Sequence, residues 1–251
     1  MKWTEIPTGK THSAFQHFMV ALGEEADVAV ERINSEVEFT NRLATYARNG
    51  GLEPSSSQQR AREIMGKNFF GVEEAIRHFG ANPTRRQLAN LSEVPFSETT
   101  LQQCKDTHVL VAVFPLSIRG AREKVQGKGL FYDQKWYNEE AFASERGEVS
   151  WQLVRKTSID NSTSKNWADQ QALLGEDDEV PTAQVLVYTI IGHFLATGER
   201  LFEKIYVRTS SVRSDGYRVC VGRFGVSGLN VYDGGWDGGS DDGLGVSSAR
   251  K

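Results

Sequence analysis

Apolar residues in the first hundred positions recur at helical spacing. Between His12 and Asn49, Phe15, Phe18, Leu22, Ala26, Val30 and Ile33 fall at steps of three and four, which places them on one stripe. A second helix follows through Val37, Leu43 and Ala47. Gly50-Gly51 is expected to stop it, because glycine accepts the left-handed conformation at a helix end. Pro54 to Ser57 reads as a loop, with Ser57 as the candidate cap of a helix through Ala61 to Met65. Val72, Ala75, Ile76 and Phe79 form a shorter stripe closed by Gly80. Asn82-Pro83-Thr84 opens a helix holding Leu88 and Leu91, and Ser97 opens a last short one.

The pattern changes near Thr107. His108 to Pro115 is a β-rich apolar run that predicts a buried strand, and Val149 to Val154 alternates as a second strand would. Trp136 and Tyr137 follow a glycine-rich turn. Trp167 to Leu174 reads as a short helix. Pro181 to Thr197 is the strongest helix of this half, with proline suited to the first helical position and Gly198 to the stop. Strands and loops begin at Ile205-Tyr206-Val207. The expected class is α+β: a helical N-terminal module over about 1–105 and a second domain over about 106–251.

Residues 210–243 lack Lys, Glu, Gln and Met altogether. The preceding 209 residues hold 46 of these four types, so about seven would be expected in this stretch. What remains is rich in Gly, Ser, Asp, Arg, Tyr and Val. Changing the first two bases of an asparagine codon that ends in a pyrimidine reaches Asp, Ser, Gly, Tyr, Arg, Cys and Val. It never reaches Lys, Glu, Gln, Met or Trp. A flexible Gly/Asp-rich tail would show a similar composition. An apolar skeleton runs through the stretch, however: Val219, Val221, Phe224, Leu229, Val231, Trp236, Leu244 and Val246. A disordered tail has no reason to keep one.

Residues 205–251 resemble the variable region of diversity-generating retroelement variable proteins. The resemblance rests on Ile205-Tyr-Val-Arg-Thr209, Gly228-Leu-Asn-Val231, Trp236 and the closing Gly245-Val-Ser-Ser-Ala-Arg250. The stretch from Asn161 to Glu203 and the helical front, with "IMGKNFFGVEEAIRHFG" and "KDTHVLVAVFPLS", are similar to variable proteins of candidate-phylum bacteria. The resemblance implies a C-type-lectin-like domain of the formylglycine-generating-enzyme-like subclass over 106–251. It also implies that error-prone reverse transcription diversifies chosen codons. The candidate variable positions are Arg213, Tyr217, Cys220, Arg223, Gly225, Val226, Ser227, Tyr232, Asp233, Gly234, Asp237, Gly239, Ser240 and Asp242, all reachable from an asparagine codon. Gly222, Gly228, Asn230, Trp236 and the terminal block are the expected invariant scaffold, with the Trp236 ring buried. The implied function is non-catalytic recognition of a variable protein ligand. Tyr and Arg supply contact area, and Ser, Gly and Asp supply adaptable polar groups.

Composition narrows the alternatives. A net charge of −4 gives no general pull toward nucleic acid or anionic membrane. The longest apolar run, Val185 to Leu195, contains His193 and fits a buried helix better than the roughly 20 residues of a membrane span. No apolar segment follows Lys2 and Lys10, so a signal peptide is not expected and a cytoplasmic setting is the default. Cys104 and Cys220 are too few for a disulfide framework. Asp233, Asp237, Asp241 and Asp242 suggest calcium, but one glycine-rich copy is too few for a stacked-repeat site, and no metal or cofactor is expected. Formylglycine-generating chemistry needs paired cysteines, which a lone Cys220 does not offer. His12, His17, His78, His108 and His193 show no ligand spacing. The two short helices around Gly80 to Pro83 resemble a helix-turn-helix layout, with Arg77, Arg85 and Arg86 as phosphate contacts. Glu73 and Glu74 oppose that. The plainer reading is a helical module that docks a partner or oligomerises, for which Phe15, Phe18 and Leu22 are suited.

Overall fold

A computed structural model describes residues 7–48 and 53–250, apart from the side chains of Thr45, Arg48 and Gly235. The expected stop at Gly50-Gly51 lies outside the described residues. The chain forms two compact bodies that divide between Glu53 and Pro54.

The first body holds α1 (Thr8–Leu22), α2 (Ala26–Ser35) and α3 (Val37–Arg48). Gly23, at φ 58°, ends α1, so the single helix expected through Ile33 is broken into two. The predicted stripe faces inward but is only half-buried at Phe18, Leu22, Ala26, Val30 and Ile33, and Phe15 stays 51% exposed. Neither α1 nor α2 contains a fully buried residue. The turn into α3 is tied by the Thr40 hydroxyl, which donates to the Ile33 carbonyl at 2.7 Å.

The second body is an α+β unit. Its first part comprises α4 (Ser56–Met65), β1 (Phe69–Phe70), α5 (Val72–Phe79), α6 (Arg85–Leu91), α7 (Glu98–Cys104) and β2 (His108–Val113). Then come α8 (Ile118–Lys124), β3 (Ser150–Arg155), α9 (Trp167–Gln171), β4 (Asp178–Glu179) and α10 (Ala183–Thr197). The chain closes with β5 (Tyr206–Val212), β6 (Arg218–Gly225), β7 (Gly228–Gly235), β8 (Leu244–Val246) and β9 (Ala249–Arg250). One sheet has the order β1-β2-β3-β9-β4 and the other β7-β6-β5-β8. α10 contacts strands of both sheets, and its residues from Ala183 to His193 are all buried. That is why it reads as an unbroken apolar run: a helix covered on all sides needs no polar face.

The boundary expected near 105 falls inside this body. Residues 54–104 pack on the sheet that follows them. β1 pairs parallel with β2, matching Phe69 to Leu110. The Trp151 indole donates to the Leu91 carbonyl at 2.9 Å, and Phe79 meets Tyr188 at 4.6 Å between centroids. A two-residue strand is too short for alternation to reveal it, so the segment reads as purely helical. Two caps also differ. Ser55, not Ser57, caps α4, accepting from the Gln58 N–H at 3.1 Å, while Ser57 accepts from Val94 N–H at 3.0 Å. Thr182 caps α10 and accepts from Val185 N–H, so Pro181 precedes the cap instead of opening the helix.

The terminal block joins the two sheets. Gly245 and Val246 lie in β8, parallel to β5, and Ala249 and Arg250 form β9, antiparallel to β3 and β4. Ser247 and Ser248 are buried at the crossing. Arg250 donates to Asp178 at 3.0 Å.

Candidate binding surface

The β7-β6-β5-β8 sheet has two unlike faces. Val207, Val221 and Val231 are matched in register and fully buried. The rows on either side of it, on the opposite face, are Arg208, Cys220 and Tyr232, and Tyr206, Gly222 and Asn230. Strand alternation thus sends the valine row to the core, while the opposite face mixes buried members, Arg208, Cys220 and Gly222, with the exposed Tyr232 and the half-buried Tyr206 and Asn230. Val219, Phe224, Leu229, Leu244 and Val246 are buried as expected.

Thirteen of the fourteen candidate positions are exposed or half-buried. They form three groups. Arg213, Tyr217, Asp233 and Gly234 gather at one end of the sheet. There Arg213 donates to the Asp233 carbonyl at 3.0 Å, and its guanidinium lies 5.3 Å from the Trp136 ring centroid. Gly225, Val226 and Ser227 make the β6–β7 turn at the other end, with Val226 94% exposed. Asp237, Gly239, Ser240 and Asp242 lie on the loop from β7 to β8. Between these groups, Tyr232 stacks on Tyr206 at 4.8 Å and Arg223 lies 5.0 Å from the Tyr206 ring centroid.

Cys220 is the exception. It is fully buried between Arg208 and Tyr232, and burial pushes its thiol up to about 12. It therefore belongs to the frame and not to the contact surface. Codon reachability cannot distinguish a buried position from an exposed one. Iodoacetamide is expected to label Cys220 only after unfolding, because the thiolate is the nucleophile. Mass spectrometry of the native and denatured protein checks this, and rapid native labelling would contradict the burial.

Trp236 is also corrected. Its ring is 62% exposed. Its carbonyl, not its ring, is held by the frame, accepting from Arg208 at 3.0 Å. Trp236 thus joins Tyr132, Trp136 and Tyr206 as aromatic members of the surface that codon reasoning missed. Tryptophan lies outside the reachable set, and the others lie outside residues 210–243.

The surface is held mainly through main-chain carbonyls. Arg208 is fully buried, and burial pulls its guanidinium below its ordinary value. It donates to the carbonyls of Lys165, Trp236 and Gly239 and to the Gln170 side-chain oxygen, at 3.1, 3.0, 2.7 and 2.8 Å. The N–H groups of Trp167 and Ser164 donate to the Asp237 and Asp241 carbonyls, each at 2.9 Å. Gln134 and Trp136 both donate to the Val231 carbonyl, and Tyr132 N–H to that of Leu229. Arg200 donates to the Gly225 carbonyl at 2.6 Å. Every one of these donors lies outside residues 210–243. A carbonyl is present whatever side chain its residue bears.

Two of the aspartates are engaged nearby. Asp237 accepts from Arg218 at 3.2 Å, and Asp241 accepts from Gly243 N–H at 2.7 Å. Among the described residues, no group of three or more His, Cys, Asp or Glu side chains stands together as a metal set, and both cysteines are free. No helix of the described residues is long and apolar enough to cross a membrane. Arg77, Arg85 and Arg86 are exposed on α5 and α6.

Comparison with known proteins returns no matching family model, curated protein or solved structure.

Proposed function

We propose that this chain is a non-catalytic binding protein whose C-terminal sheet and loops present a retroelement-diversified surface to a protein ligand. One observation carries the proposal: donors outside the segment grip its backbone carbonyls, while thirteen of fourteen candidate side chains stand at or near the surface. This arrangement allows side chains to change without loss of the frame. The C-type-lectin-like reading belongs to the same proposal. Its support is the α+β architecture and a terminal block that returns the chain end to the first sheet.

Two tests follow. The DNA around the gene is expected to contain a near-copy of codons 210–243, differing mainly at adenines, beside a reverse transcriptase gene. A locus without such a copy would sink the diversification reading. On the protein, alanine at Tyr217, Val226, Ser227, Asp233, Ser240, Asp242 or Trp236 is expected to change stability by only about 0.5 kcal/mol each. Thermal melts check this, and losses of several kcal/mol at these sites would reject the separation of surface from frame.

A further inference from the structure

A cavity lies in the second body, and no residue of 205–251 lines it. Its volume is about 380 Å³, toward the lower end for small-molecule sites. Phe79, Phe114, Leu116 and Tyr188 give it aromatic and aliphatic walls, and Lys124 and Arg146 add two cations. No carboxylate is among its lining residues. Lys124 and Arg146 are exposed, and among the described residues neither has an ion-pair partner. Tyr188 is 1% exposed. Its hydroxyl is buried against the Phe114 main chain, so Tyr188 contributes its ring and not its hydroxyl to the cavity wall.

Each feature selects part of a ligand. Apolar walls favour a flat hydrocarbon body. Unpaired cations favour an anionic head, and guanidinium and ammonium groups bind carboxylates well. We propose that this cavity binds a small aromatic carboxylate. The head would meet Lys124 and Arg146, and the ring would lie against the apolar walls. The site would be fixed in every variant, separate from the diversified surface.

The probe is 4-hydroxyphenylacetate, titrated into the full chain and followed by NMR and calorimetry. Binding is expected at concentrations below about 10 mM. The neutral 4-hydroxyphenylacetamide should bind about tenfold more weakly, and so should the acid to the surface double variant K124Q/R146Q. Absence of binding, equal binding of acid and amide, or unchanged affinity in K124Q/R146Q would each overturn the proposal. The double variant replaces only exposed side chains, so it tests binding without disturbing the core.

Discussion

Gly222→Ala is expected to lower the unfolding free energy by about 3 kcal/mol or more, through overpacking and backbone strain together. Gly222 lies in the centre of β6 at φ 152°, a conformation that side chains with a Cβ rarely adopt. A Cβ there would overlap the Ile205 carbonyl oxygen and stand 2.9 Å from Tyr206 Cα. Both obstacles are main chain of the neighbouring strand and cannot rotate away. Gly225, three residues on, provides the control: its nearest neighbour would be the Arg223 carbonyl oxygen at 4.0 Å. Gly225→Ala should therefore melt close to the parent. Urea denaturation of the two variants checks the contrast, and equal stabilities would undo the division between frame and variable glycines.

Arg208→Met is expected to cost about 3 kcal/mol and to release the β7–β8 loop, since hydrogen bonds to charged groups are worth about 1.5–3 kcal/mol each. Methionine keeps much of the side-chain volume but donates nothing. The carbonyls of Lys165, Trp236 and Gly239 and the Gln170 side-chain oxygen would all lose the guanidinium. Part of the loss is offset because a buried arginine without a hydrogen-bonded carboxylate carries a desolvation cost of its own. The expected signature is a lower melting temperature together with faster amide exchange in residues 236–243. A variant with unchanged exchange in that loop would show that Ser164 and Trp167 suffice to hold it. Arg208→Met should therefore also abolish ligand binding that depends on the loop, although no atom of Arg208 is exposed enough to form a large contact.

These two residues mark how far the sequence could be read. Gly222 was legible as scaffold from the resemblance, but its physical role was not. The close approach of β5 to β6 depends on strand register, which a lone glycine does not reveal. Arg208 gave no sign of its burial, because arginine is rarely fully buried and composition places it at the surface. Cys220 and Trp236 were misplaced for related reasons. One is a reachable residue type at a position enclosed by its cross-strand neighbours. The other is an apolar residue whose backbone, not its ring, serves the frame.

The sequence by itself determined the local order of this protein. The three-and-four spacing set the stripe of α1 and α2, the apolar run set α10, and Gly80 and Gly198 set the helix ends, because these depend on neighbours a turn away. The missing residue types marked 210–243, because composition is read along the chain without reference to the fold. Only the tertiary structure decided that residues 54–104 belong with the sheet, that the terminal block crosses between two sheets, and that a buried arginine grips the loop from β7 to β8. Each of those depends on groups tens of residues apart meeting in space, and no periodicity along the chain records such a meeting.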